Sequence, residues 1–241
     1  MGKDRILIID IESYFFKAMN SAQGVKEIEQ GLFIDTYSLD KAREYINKTI
    51  NSFKQRLNAQ EYVLATGDRA HNFRKDILPS YKNNRPKRHP FIDTIANSYD
   101  TIFLKNLEAD DTCRILYEDD NFFGEMDKVI VSIDKDFLSF PCKVYRPHKD
   151  ELREVDIDMA QYNLYKQIIS GDNADNYKGI PGWGEGKTKK WLEFSREEKE
   201  VIKLFEDNGL TKDDYLKNKY MAQIIGVGQY NFDTGEVYYT K

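Results

Sequence analysis

"RILIID", residues 5–10, decides the fold. Ile6 to Ile9 form an unbroken apolar run, too short for a helix, that stops at a carboxylate. This is the pattern of a strand buried on both faces. "EYVLAT" (61–66) repeats it just before Gly67 and Asp68, and "KVIVSID" (128–134) repeats it at Asp134 with Asp136 close behind. Between these runs, "SLDKAREYINKTINSFKQRL" (38–57) and "LEADDTCRILYEDD" (107–120) carry apolar residues at helical intervals. The alternation predicts an α/β fold, a central mostly parallel sheet flanked by helices, in which ligands sit outside the carboxyl ends of the strands.

Those strand ends are acidic. Asp10, Asp68, Asp134 and Asp136 follow the three runs; Glu108 and Asp111 lie i, i+3 on one helix with Asp110 between them, and Asp172 and Asp175 repeat that spacing. A single Asp at a strand end is ordinarily a turn former or helix cap. Nine carboxylates converging on one edge repel each other unless a cation binds among them. Oxygen donors without His or Cys select Mg²⁺ or Mn²⁺, and His71, His89 and His148 lie outside the acidic clusters. Two such ions about 3.5–4 Å apart activate water and stabilise the leaving oxygen of a phosphodiester.

The composition agrees. The 241 residues carry 32% charged side chains and a net charge of −5, which suits one soluble core with a helical appendage and argues against indiscriminate coating of DNA or membrane. No stretch is long enough to span a bilayer, and the start shows no export signal, so the expected location is the cytoplasm. Cys113 and Cys142 have no metal or disulfide spacing and read as core residues.

"FRKDILPSYKNNRPKRHP" (73–90) gathers Arg74, Tyr81, Lys82, Arg85, Lys87 and Arg88 between the Asp68 and Glu108 acids. Alone it reads as a solvated basic loop. Beside a metal cluster it supplies cations for a phosphate and an aromatic for a base. "SGDNADNYKGIPGWGEGKTKKWL" (170–192) ends in Gly186-Lys187-Thr188 like an ATP-binding phosphate loop. The required G-x-x-x-x-G-K-[ST] fails because Pro181 stands where the first glycine belongs, so ATP binding is not expected. Gly182, Gly184, Gly186, Lys187, Thr188, Lys189 and Lys190 read instead as a turn that grips duplex phosphates. Trp183 and Trp191 read as packing residues.

In this order, "GD...FRKDILPSYKNNRP", "LEADD", "SIDKDF", "SGDNADN" and "GIPGWGEGKT" resemble the 5′-nuclease superfamily of flap endonucleases and 5′-3′ exonucleases, notably stand-alone phage exonucleases of the podovirus type. The resemblance runs from about Arg5 to the C-terminus. It implies a PIN-like nuclease core over 1–168, with an arch around 82–105 through which a 5′ strand passes. A helix-turn-helix-type duplex-binding region over 169–241 follows. It implies one metal position from Asp10, Asp68, Glu108, Asp110 and Asp111, and another from Asp134, Asp136, Asp172 and Asp175. Lys82 and Arg85 would steer the scissile phosphate, Tyr81 would stack on a terminal base, and the glycine-rich turn would also hold K⁺. Two positions depart from the family pattern: Ile11 follows the first Asp where Gly is usual, and Gly186 is an extra residue.

The expectation is a monomeric Mg²⁺-dependent 5′-3′ exonuclease or flap endonuclease acting on duplex, nicked, gapped or flap DNA, and on RNA in RNA–DNA hybrids, in phage replication. A PIN-type ribonuclease would lack the glycine-rich turn. A non-catalytic DNA-binding protein would have no use for the acids.

Overall fold

A computed structural model of the chain describes residues 3–238. The first half runs β1 (Arg5–Asp10), α1 (Glu12–Ala22), a hairpin of β2 (Gln23–Glu29) and β3 (Leu32–Tyr37), α2 (Leu39–Leu57), β4 (Glu61–Ala65), α3 (Arg74–Ile77) and α4 (Pro90–Ala96). Then come α5 (Ala109–Glu118), α6 (Asp120–Phe123), β5 (Asp127–Val131), β6 (Cys142–Arg146), β7 (Glu151–Val155) and α7 (Ile157–Ser170). A two-residue ribbon of β8 (Gly171–Asp172) and β9 (Tyr177–Lys178) leads to α8 (Glu185–Leu192), α9 (Glu198–Asp207) and α10 (Lys212–Ala222).

The five-stranded sheet has the order β4-β1-β5-β6-β7, parallel except for β7. The apolar runs are continuous because both faces are covered. Leu7 and Ile9 of β1, with Val129 and Val131 of β5, pack under α1, α2 and α4. Ile8 and Ile130 turn the other way, towards Cys113 and Leu116 of α5. The Asp10, Asp134 and Asp136 acids therefore lie together past the carboxyl ends of β1 and β5, which are neighbours in the sheet.

A second core gathers Tyr165, Ile168 and Ile169 of α7 with residues of α8, α9 and α10. α7 belongs to both cores, since Ala160 near its start packs under the sheet. The expected boundary at 168 falls inside this helix. The tail then returns: Ile224 joins the sheet's second face, and Ile225 and Tyr230 pack with Phe73, Leu107 and Ile115.

Two features refine the expectation. Within the anticipated arch, 82–105, α4 buries Ile92, Ile95 and Ala96 against the first core, while Lys82 and Arg85 in the turns before it border the acidic cleft. The β2–β3 hairpin, turned by Gly31 at φ +81°, projects with Val25, Leu32 and Phe33 exposed. Cys113 and Cys142 are buried free thiols. Among the described residues no helix is long and apolar enough to cross a membrane.

Candidate metal centre and nucleic-acid interface

The carboxyl ends of β1 and β5, the start of α5, and the β8–β9 turn enclose a cavity of about 460 Å³. Seven of the nine anticipated acids line it: Asp10, Glu108, Asp110, Asp134, Asp136, Asp172 and Asp175. Lys82 and Arg85 line it too. Residues 98 positions apart in sequence, such as Asp10 and Glu108, meet because β1 and α5 pack directly together.

One wall of the cavity is propped by cations. Arg74, only 2% exposed, holds both oxygens of the buried Asp111 at 2.7 and 2.9 Å and reaches Glu108 at 3.1 Å. Lys82 pairs with Glu108 and stands 3.6 Å from Asp175, while Arg85 meets Asp175 at 2.5 Å. The Tyr81 hydroxyl donates to Glu108 at 2.7 Å and lies 3.0 Å from Asp175. Desolvation works to raise Glu108, but the Lys82 and Arg74 charges outweigh it and hold the carboxyl well below its usual range. Lys82 itself sits at φ +55°, a left-handed backbone unusual for a residue with a side chain, so its position is imposed by its surroundings.

The floor has no such props. Among the described residues no Lys or Arg lies within 4 Å of Asp10, Asp110, Asp134 or Asp136. Asp10 accepts a 2.9 Å hydrogen bond from Ser132, whose oxygen also receives the Asp134 N–H at 3.0 Å. Asp134 in turn accepts the Asp136 N–H at 3.0 Å. Desolvation pushes the Asp10 carboxyl up to about 7, with Glu12 and Asp134 adding to it. Desolvation and then Asp134 push Asp136 up to about 6. Asp110 is driven upward by desolvation and by Asp111 and Glu108. An all-oxygen donor set that raises its own proton affinity fits a hard divalent cation, whose charge would relieve the repulsion.

Several anticipated residues are placed elsewhere. Asp68 is outside the cavity; its oxygens accept the Ala70 and Asn106 N–H groups at 2.8 and 2.9 Å, the turn-forming alternative. The oxygens of Glu108, Asp110 and Asp111 approach within 4.8 Å, as a metal trio would. Asp111, however, already holds Arg74, the Ile225 N–H at 2.7 Å and the Glu108 N–H at 3.0 Å, the last as a cap on α5. Arg74 and Tyr81, 2% and 1% exposed, are internal and cannot grip or stack on DNA from these positions. Lys87 is exposed, whereas Arg88 lies 3.0 Å from Asp93.

Two residues at the cavity went unanticipated. Glu12 adds an eighth acid, its carboxylate accepting the Gly67 N–H at 3.2 Å. Phe16, one turn further along α1, is 43% exposed at the rim and is the aromatic that Tyr81 is not. The signal available was the i, i+4 spacing of Glu12 and Phe16 directly behind Asp10.

In the glycine-rich turn, Gly184 precedes the first residue of α8, and Gly186 falls in its first turn. A side chain built at Gly182, Gly184 or Gly186 would meet nothing within 4 Å, so this backbone is open to a ligand. Gly171 and Gly179 are the opposite case. A Cβ at Gly179 would stand 2.1 Å from the Ile169 carbonyl, so these glycines let the β8–β9 ribbon close onto the end of α7. Lys189 and Lys190 are exposed, Lys187 lies 4.0 Å over the Trp183 ring, and Thr188 is buried. Trp183 is internal, as anticipated, and packs edge-on against Trp191.

No family model matches the chain. It is 28% identical to the exonuclease of Escherichia phage T7 over 278 aligned positions, covering 97% of this chain and 92% of that one. It is 26% identical to the exodeoxyribonuclease of Enterobacteria phage T3, covering 97% and 91%. Its fold matches that of the bacteriophage T5 flap endonuclease solved with DNA and metal ions, at TM-score 0.66 and 15% identity over 91% of this chain and 89% of that one. The T7 and T3 relatives are phage exonucleases, and the fold is the one the T5 flap endonuclease adopts.

Proposed function

We propose that the chain is a divalent-metal-dependent 5′-3′ exonuclease and flap endonuclease that hydrolyses phosphodiesters at or near the 5′ end of duplex or flap DNA during phage replication. The observation that carries the reading is the unpropped carboxylate floor, Asp10, Asp110, Asp134 and Asp136, facing a cation-lined wall across one cavity. The relatives' names and the metal ions and DNA bound to the T5 fold neighbour support it.

The floor acids, with Asp172 and one edge of Glu108, would hold Mg²⁺ or Mn²⁺. When bound, these ions supply an activated water and charge stabilisation for the leaving oxygen. Lys82 and Arg85 turn from their carboxylates towards the phosphate and orient it for in-line attack. Phe16 offers a ring to the base beside the cut. The open backbone at Gly182–Gly186, with Lys189 and Lys190, takes the duplex phosphates beyond it. The product carries a 5′-phosphate, and no step calls for ATP. The reading extends to RNA in RNA–DNA hybrids as a substrate and to a monomer acting in the host cytoplasm.

The test is cleavage of 5′-labelled duplex, nicked and flap DNA with Mg²⁺ or EDTA, by the natural protein and by the double variant Asp134→Asn/Asp136→Asn. Cleavage that needs Mg²⁺ and disappears in the variant is expected. Metal-independent cleavage, or full activity in the variant, overturns the reading.

A further inference from the structure

Past Lys135 and Asp172 the acidic cavity opens into a second one of about 450 Å³, bounded by α7 and the start of α8. The two cavities share Lys135, Asp136, Asp172 and Ala174. Lys166 stands in its wall, half-buried, with no carboxylate within 4 Å among the described residues. Its nearest polar partner is the Asn163 side-chain oxygen at 3.5 Å, and Asn163 is itself fixed by donating to the Met159 carbonyl at 2.8 Å. Desolvation pushes the Lys166 ammonium below its usual value; Glu185 and Asp136 oppose the shift, and Lys189 and Lys135 add to it. Asp136, Asp172 and Glu185 line the same cavity but none touches Lys166, and a desolvated cation with no anion in contact is costly until a ligand brings one. Lys135 also lines this cavity and is loosely held, 3.8 Å from Asp172.

We propose that this second cavity is a phosphate subsite in which Lys166 and Lys135 seat a backbone phosphate of the bound duplex, between the cut and the glycine-rich turn. The inference rests on the nuclease reading and adds a site to it. The location selects the duplex as the source of the phosphate. Gly184 and Glu185 line the far end, so a strand running from the acids to α8 crosses this cavity. Lys166 is thus a binding residue for the strand held in register, outside the reacting atoms.

Duplex binding is measured by fluorescence anisotropy across a KCl series, with Ca²⁺ in place of Mg²⁺, for the natural protein, Lys166→Ala and Lys166→Arg. Lys199→Ala, an exposed lysine paired with Glu197 on α9, serves as the control. Loss of one phosphate contact lowers the slope of log K against log salt by about 0.9. The expectation is that loss in Lys166→Ala with a five- to tenfold rise in Kd, and near-natural values in Lys166→Arg and Lys199→Ala. Thermal melting separates this from a folding defect, since Lys166→Arg keeps the stem packed. Natural slope and Kd in a folded Lys166→Ala overturn the proposal. So does a variant that loses only inhibition by a free 5′-mononucleotide, because the cavity would then hold product. If the natural protein binds duplex but never cuts it, the nuclease reading fails while the salt slopes still decide the subsite.

Discussion

The propped wall and the bare floor of the acidic cavity use the same residue types for opposite ends. Glu108, Asp111 and Asp175 are met by Arg74, Tyr81, Lys82 and Arg85, so their charge is matched within the chain. Asp10, Asp110, Asp134 and Asp136 meet no Lys or Arg within 4 Å among the described residues. Three of them bind protons more tightly, first because they are desolvated and then because other acids stand near: Glu12 and Asp134 for Asp10, Asp134 for Asp136, Asp111 and Glu108 for Asp110. Charge matched from within makes structure, and charge left unmatched makes a binding site. Counting acids in a sequence cannot separate the two, because the separation depends on where the arginines and lysines end up.

The difference can be broken most sharply at Asp10. Asp10→Asn should cut metal-dependent cleavage by about 10⁴-fold, equivalent to ~5.5 kcal/mol of barrier. The same variant should melt no lower than the natural protein in EDTA, since a repelled charge has gone. A variant that keeps its activity, or unfolds, would erase the distinction. Next in size comes the wall: Arg74→Ala leaves Asp111 buried and unpaired, which should cost about 3–5 kcal/mol of stability. In a chain of this length that is a fall in Tm of about 10 °C or more. An unchanged melting temperature would mean that the Arg74–Asp111 pair holds nothing.

The smallest effect is with pH. A carboxyl whose folded pKa is raised binds more protons folded than unfolded, so its contribution to stability declines as pH rises from the unfolded value of about 4 to the folded one. For Asp10 that decline is complete near pH 7, and for Asp136 near pH 6. In EDTA, the Tm advantage of Asp10→Asn over the natural protein should therefore grow between pH 5 and pH 8. Mg²⁺ should stabilise the natural protein more at pH 8 than at pH 5. A pH-independent gap would show that burial and the neighbouring acids do not raise the Asp10 carboxyl.

What was legible in the sequence follows from how local each signal is. The apolar runs of β1, β4 and β5 announce themselves within six residues, and their acidic ends come with them. The five ordered motifs then specify the family likeness. The β2–β3 hairpin was not legible, because its apolar residues stay exposed and carry no burial pattern. The roles of Arg74 and Tyr81 were misread for a related reason. Their partners lie 37 and 27 residues away, on α5, and a basic or aromatic residue looks the same in sequence whether it faces DNA or a neighbour in the core. Asp68 shows the ordinary alternative: in the structure its oxygens take the turn-forming contacts that any single aspartate after a strand has available.

The sharing of α7 also bears on how the chain folds. One end of the helix is sealed under the sheet and the other inside the C-terminal helices, while the tail from Ile224 to Tyr230 is fastened back over α5. Neither half can open without stripping α7 of half its packing, so the two cores form one cooperative unit. The acidic cavity and the glycine-rich turn then keep a fixed separation, as the jaws of a single casting do, and the distance between them is set by the length of one helix.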